Sequence, residues 1–66
     1  MKIRDFTIAE LEHFREQCNF TESEMNYFNL KAKDYSNVHI AFAMNISESQ
    51  VSKLAKRVKA KISRVS

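Results

Sequence analysis

Four segments of the chain share one pattern: an apolar residue precedes Ser or Thr, and a second apolar residue lies five positions after the first. The four segments are residues 6–11, 20–25, 35–40 and 46–51. In this pattern the hydroxyl accepts a hydrogen bond from a free backbone N–H at a helix start, and the two apolar side chains clamp the entering chain. Glu10, Glu24 and Gln50 each lie three residues after such a hydroxyl and complete capping boxes. The pattern therefore predicts four helix starts.

The ends of these helices are marked by residues that tolerate a left-handed backbone. The chain contains no Gly and no Pro, so hairpins, Gly-rich phosphate loops and Pro-rich linkers are not expected. Asn19, Asp34 and Asn45 come just after the segments with helical apolar periodicity, at the positions where Gly often ends a helix. We predict an all-α fold with helices over 8–18, 22–33, 37–44 and 48–64, in a single domain over 1–66.

Each predicted helix has an apolar face to bury. We expect helix one to pack across the far half of helix four, because the apolar stripe of helix four continues beyond residue 57. The predicted core positions are Ile8, Leu11, Phe14, Cys18, Met25, Phe28, Leu30, Ala32, Ile40, Ala41, Ala43, Met44, Val51, Leu54, Ala55, Val58, Ile62 and Val65. The Glu residues of helices one and two are predicted to form a solvated face, and the five Phe and two Tyr to lie mainly in the core.

Charge is divided sharply along the chain, whose formal net charge is +3. Residues 1–46 hold five Lys or Arg against seven Asp or Glu, a net charge of −2. Residues 47–66 hold six Lys or Arg against one Glu, a net charge of +5. Positive potential concentrated on one element favours a polyanionic partner, whereas a basic tail alone could be a solvated surface.

The composition also bears on the compartment. No apolar run approaches the roughly 20 residues of a membrane span, and the first residues have no signal-peptide pattern. The single Cys18 cannot form an internal disulfide, as suits a reducing environment. We expect a cytoplasmic protein of a bacterium or a phage-infected host, with no membrane partner.

Residues 36–57 fit a helix-turn-helix motif. Ala41 is small where a second helix would cross the first, and Asn45 lies four residues later, where the turn needs a left-handed residue. Apolar side chains at Ile40, Met44, Ile46, Val51 and Leu54 would fill the wedge between the two helices. This arrangement places a recognition helix, here about 48–64, in the DNA major groove.

The predicted recognition helix carries hydroxyls and lysines opposite its apolar stripe. We predict that the base-reading residues are Ser47, Glu48, Ser49, Ser52, Lys53 and Lys56, with Ser49, Ser52 and Lys53 as the main readers. Glu48 would either read cytosine or serve only as a first-turn acid that favours the helix dipole. The predicted phosphate contacts are Ser36, Asn37 and Arg57. Lys59, Lys61 and Arg64 are predicted either to contribute long-range positive potential or to lie on the solvated surface.

Residues 20–64 resemble the promoter-reading C-terminal domain of bacterial sigma factors, region 4, and the DNA-binding domain of LuxR-type regulators. The matching elements are Thr21-Glu22, Tyr35-Ser36, Ile40-Ala41 and the run from Ile46 to Val51. The resemblance implies base contacts by residues 47–56 and backbone contacts by Ser36 and Arg57. Unlike those families, the chain has Asn45 at the usual turn Gly, Gln50 where Thr is common, and an additional N-terminal helix.

The overall layout is similar to small stand-alone helix-turn-helix proteins of phages and mobile elements. We therefore predict a sequence-specific regulator of transcription that binds double-stranded DNA. Paired half-sites would increase its affinity, and a dimer surface is predicted at Leu11, Phe14, Val58, Ile62 and Val65. The alternative is a sigma-like adaptor or inhibitor that binds RNA polymerase or another regulatory protein.

Other chemistry has little support in the sequence. His13 and His39 have no partners at metal-ligand spacing, and no residues combine a nucleophile, a base and an oxyanion donor. We expect no enzyme activity, no cofactor, no metal and no small-molecule ligand. Structured RNA is a less favoured partner, because its major groove is too narrow for a helix.

Overall fold

The computed structural model describes residues 2–65, and these form four α-helices, a short 3-10 helix and no strand. The all-α prediction is confirmed, and every predicted α-helix lies within one residue of its observed bounds. The 3-10 helix Ile3–Asp5 was not predicted. The α-helices are α1, Ile8–Gln17; α2, Glu22–Ala32; α3, Asn37–Met44; and α4, Glu48–Val65.

Side-chain caps begin the helices as predicted. The Thr7 hydroxyl accepts a hydrogen bond from the Glu10 amide at 3.1 Å, and the Glu10 carboxylate accepts one from the Thr7 amide at 2.8 Å. Equivalent reciprocal pairs join Thr21 to Glu24 and Ser47 to Gln50. Each cap is worth about 1 kcal/mol. Because these signals are local, they fix the helix starts before any tertiary packing is considered.

Left-handed residues end three of the helices as predicted. Asn19, Asp34 and Asn45 have φ of 52°, 66° and 57°. After Asn45, the Ile46 amide donates to the Ala41 carbonyl at 3.0 Å, the six-to-one hydrogen bond of a Schellman motif. This bond turns the chain sharply between α3 and α4.

The core forms where α2 and α4 pack against each other and against the other elements. Helix α4 contacts α1, α2 and α3, while α2 also contacts α3 and the 3-10 helix. The buried apolar residues are Ile3, Phe14, Cys18, Tyr27, Phe28, Ile40, Ala41, Val51, Leu54, Val58 and Ile62. Helix α4 is thus the element around which the other three α-helices are arranged.

The predicted packing of α1 on the far half of α4 is also observed. Phe14 and Cys18 of α1 share one cluster with Val58 and Ile62 of α4. The Lys61 ammonium of α4 donates to the Asn19 carbonyl, just after α1, at 3.1 Å. The first helix therefore covers the part of the α4 stripe that α3 does not reach.

Several core predictions are wrong. Ile8 is 76% exposed and Phe42 is 89% exposed, and Ala43 is exposed as well. Ile8 occupies the first position of α1, and Phe6 instead packs on the Phe14 ring with centroids 5.0 Å apart. Phe42 and Ala43 point away from α4, because Ile40 and Ala41 are the α3 residues that are buried.

Glu24 and Lys61 correct two further predictions. Glu24 was expected in a solvated face but is only 3% exposed, and its carboxylate accepts a hydrogen bond from the Lys61 ammonium. Burial raises the pKa of Glu24, but hydrogen bonds from Lys61 and Thr21 and the charge of Lys61 outweigh it, so the pKa lies below its ordinary value. Lys61 is therefore part of an interhelical ion pair and not free surface charge.

Candidate nucleic-acid interface

The first half of α4 is divided into a buried side and an exposed side. Val51, Leu54 and Val58 are buried and recur at the three-to-four-residue spacing of one helix face. The predicted readers are all exposed: Ser47, Glu48, Ser49, Ser52, Lys53 and Lys56. The same helix therefore packs into the core and presents hydroxyls, a carboxylate and two ammonium groups to solvent.

The junction with α3 orients this exposed side. Ile40 and Ala41 of α3 are buried, and Ile46 in the turn is half-buried. The left-handed Asn45 allows α4 to begin at Glu48, after a connection of only three residues. Ser47 caps α4 by accepting a hydrogen bond from the Gln50 amide at 3.2 Å. The Ser47 hydroxyl therefore remains available mainly as a hydrogen-bond donor.

The predicted phosphate contacts lie on two elements, at the start of α3 and on α4. Ser36 and Asn37 are exposed at the start of α3, and the Asn37 side-chain oxygen accepts a hydrogen bond from the Lys31 ammonium at 2.9 Å. Arg57 is exposed and, with Lys53, lines a cavity beside Ser23 at the start of α2. All three predicted phosphate contacts are therefore exposed, and the Asn37 side-chain oxygen already accepts from Lys31.

An apolar patch on α3 was missed by the sequence reasoning. Val38 is 59% exposed and Phe42 is 89% exposed, and four-residue spacing places them on one side of α3. They line a shallow groove with Asn45, Ile46 and Glu48. The four-residue spacing of Val38 and Phe42 is present in the sequence. Because phenylalanine is usually buried, Phe42 was expected in the core and not on an exposed face.

The predicted dimer surface requires correction. Phe14, Val58 and Ile62 are buried in the core of this chain, because α1 itself covers the end of the α4 stripe. Only Leu11 and Val65 of that set are partly exposed. Phe14, Val58 and Ile62 are therefore core residues and not dimer-surface residues in this fold, and dimerisation itself stays a prediction.

The two histidines and the cysteine pack against other side chains or lie in the core. His13 packs at the edge of the Phe14 ring and His39 at the edge of the Tyr35 ring. Cys18 is buried, and burial raises the pKa of its thiol, although the charge of Lys61 opposes the shift. Within residues 2–65, no three His, Cys, Asp or Glu side chains are grouped so that they could hold a metal ion.

The helices were also assessed for membrane crossing. Across residues 2–65, none combines the length and the apolar character that a membrane span requires. The longest helix, α4, carries six Lys or Arg, five of which are exposed.

Comparisons of the chain with protein-family models, with curated proteins and with solved structures give no match. The chemistry of the exposed α4 face is therefore the basis for assigning a role. Its donors, acceptors and positive charge are those that duplex DNA binding uses.

Proposed function

We propose that the chain is a sequence-specific double-stranded DNA-binding regulator of transcription, and that α4 reads the major groove. The observation that carries the proposal is the division of α4. Ser49, Ser52 and Lys53 are exposed. Their sequence neighbours Val51 and Leu54 are buried. A helix that packs into the core through one side and is polar on the other can enter a groove while its apolar side stays buried.

The side chains on the outer turns fit the edges of base pairs. Lys53 and Lys56 can donate to the guanine acceptors, and Ser49 and Ser52 can donate or accept. Glu48 can accept from the cytosine amino group, or stabilise the start of α4 through the helix dipole. Residues of both kinds lie within the first three turns of α4.

The region from α3 to α4 supports a helix-turn-helix assignment. Two helices joined by a three-residue connection, with a left-handed Asn45 after α3 and buried Ala41, suit the motif over residues 36–57. The resemblance to sigma-factor region 4 and LuxR-type domains points the same way. In this orientation Ser36, Asn37 and Arg57 would bind phosphates on the two sides of the groove.

Electrostatics also favour a polyanion. The excess positive charge lies in residues 47–66, and only Lys61 there is held by a buried carboxylate. The exposed cations of α4 are Lys53, Lys56, Arg57, Lys59 and Arg64. A helix with this charge would attract DNA at long range and lose affinity as salt is added.

Selection of bound sites from random duplex DNA tests the proposal. We expect a recovered consensus that fits the width of one or two major-groove segments. A palindrome would indicate that two copies bind side by side. Recovery of no enriched sequence, with equal binding to all duplexes, would contradict sequence-specific reading.

The exposed α3 patch favours a second candidate, an adaptor or inhibitor that binds RNA polymerase or another regulatory protein. Phe42 and Val38 present apolar surface of the kind found at protein interfaces. Capture of bacterial RNA polymerase by the immobilised chain would test it. Loss of capture in Phe42→Asn but not in Lys53→Gln/Lys56→Gln would favour the adaptor over the DNA reader.

A further inference from the structure

A second group of cations surrounds a cleft that residues at the end of α2 help to line. The cleft has a volume of about 340 Å³, and the charged residues that line it are Lys2, Arg4, Lys31, Lys59 and Asp34. Four cations and one carboxylate give the lining a net charge of +3. Three elements that are far apart in the chain therefore bring like charges together at one place.

The cleft carboxylate is already neutralised. Arg4 donates to both oxygens of Asp34, each at 3.0 Å, and its guanidinium also lies 3.7 Å from Asp5. Lys31 donates to the Tyr35 carbonyl and the Asn37 side chain. Lys2 and Lys59 are exposed, so they are the two cations most available to an anion from solution.

Tyr27 adds a hydroxyl to this positive cleft. The residue lines the cleft and is only 1% exposed, and burial raises the pKa of its hydroxyl. Tyr27 is therefore a cleft residue whose hydroxyl can donate a hydrogen bond, and it shares the lining with the lysines.

The cleft lies on the same side of α4 as part of the reading face. Lys59 follows Ser52 by seven residues, two helical turns, so the two side chains point the same way about 10 Å apart along the axis. Lys31 joins the cleft to the start of α3 through Asn37. A duplex that received the first turns of α4 would therefore extend its backbone past the cleft.

Resting on the proposed function, we propose that this cleft binds a backbone phosphate of the duplex outside the base pairs that α4 reads. Lys2 and Lys59 neutralise the phosphate, and the Tyr27 hydroxyl donates a hydrogen bond to it. A water molecule occupies about 30 Å³ of liquid, so the cleft has room for a phosphate group with part of its hydration. The contact fixes the register of α4 in the groove without reading sequence.

The test compares two variants that remove equal charge. Lys2→Gln/Lys59→Gln removes the free cleft cations, and Lys33→Gln/Arg64→Gln removes two exposed cations elsewhere. Glutamine keeps good helix propensity, and circular dichroism verifies that both variants fold. Affinity for a random-sequence duplex of roughly 30 base pairs, about three helical turns, is measured against salt concentration.

We expect the cleft variant to lower the magnitude of the slope of log affinity against log salt by about 1–2, since each neutralised phosphate contributes roughly 0.9. The control variant should lower it by much less. Tyr27→Phe, which keeps the ring, should weaken binding by about fivefold, the usual worth of one hydrogen bond. Equal slopes for the cleft and control variants would overturn the inference, and the proposed function would stand.

Two further outcomes separate failure of the proposed function from failure of the cleft assignment. If the wild-type chain binds no duplex at any salt concentration, the proposed function fails, and the cleft assignment fails with it. A titration with inorganic phosphate, followed by the amide NMR signals of Tyr27 and Lys59, separates DNA phosphate from a free anion. Tight saturation by inorganic phosphate, with no effect of the cleft variant on DNA binding, would overturn the assignment to DNA.

Discussion

At the residue scale, a few side chains define the bend that presents α4. Asn45 carries a left-handed backbone with φ of 57° and ψ of 46° between α3 and α4. Such a conformation costs a residue with a Cβ about 1–2 kcal/mol, less for Asn, and little for Gly. Sequence reasoning located this residue because its requirement is entirely local.

Replacement of Asn45 tests the bend. We expect Asn45→Ala to lower the free energy of unfolding by about 1 kcal/mol, because alanine pays the steric cost of the left-handed region. Asn45→Gly should be neutral or stabilising. Urea denaturation measures both. An alanine variant as stable as the glycine variant would contradict the left-handed assignment.

The Glu24–Lys61 pair gives a pH-dependent prediction. The pKa of Glu24 is lowered in the folded chain, so its stabilising contribution is fully present above the ordinary glutamate pKa of about 4.3 and is lost as the pH falls through the folded value. Glu24→Gln keeps the capping oxygen, as Gln50 does in the last helix, but removes the charge. We expect it to cost about 1–3 kcal/mol at neutral pH.

Acid titration of the two proteins checks this assignment. The stability difference between the wild type and Glu24→Gln should shrink below about pH 4, where the wild-type carboxyl is protonated as well. Lys61→Met, which leaves the carboxylate buried and unpaired, should cost about 3 kcal/mol, and Glu24→Gln should recover part of that loss. A difference that does not change with pH would show that the charge of Glu24 contributes nothing.

At the scale of elements, the packing of α1 against α4 completes the core. Phe14 and Cys18 are buried against the end of α4, Leu11 is half-buried beside them, and Ile8 on the same helix is 76% exposed. Helix α1 therefore offers a matched pair of apolar positions that differ in burial.

Aspartate at these two positions tests the role of α1. Leu11→Asp should lower the free energy of unfolding by about 2–3 kcal/mol, because a charge replaces apolar contact at a half-buried site. Ile8→Asp should change it by less than about 0.5 kcal/mol, since it lies in solvent and in the first turn, where an acid favours the helix dipole. Thermal unfolding compares them. Equal effects at the two positions would contradict this packing.

The helices could be predicted from sequence because their signals are local. Thr7, Thr21, Ser36 and Ser47 cap the following helices, and each cap is decided within three residues. The 3-10 helix was missed because three residues show no periodicity. Its Ile3 is 3% exposed, and only the packing of this segment on α2 explains that burial.

The misassigned residues depend on contacts between distant parts of the chain. Glu24 and Lys61 are 37 positions apart, and no spacing rule relates them. The same is true of the cleft, where Lys2, Lys31 and Lys59 come from three elements. The exposed α4 residues were predictable because the 3.6-residue period of a helix places them opposite the buried stripe. Long-range pairing and the outer face of α3 were not.

At the scale of the whole molecule, the excess positive charge of residues 47–66 favours a salt-sensitive interaction. If α4, the start of α3 and the cleft together engage about four phosphates, log affinity should fall with log salt at a slope near −3.6. Fluorescence anisotropy of a labelled duplex over a series of salt concentrations measures the slope. Affinity that hardly varies with salt would contradict binding through these cations.

Charge reversal on the exposed face of α4 is the most direct test of DNA reading. Lys53→Glu/Lys56→Glu changes two exposed residues opposite the buried stripe, and Lys33→Glu/Arg64→Glu makes the same change in charge at exposed positions outside the predicted reading residues. With both variants shown to be folded by circular dichroism, anisotropy should show duplex binding abolished in the first and only modestly weakened in the second. Equal affinities for the two folded variants would contradict DNA reading by α4.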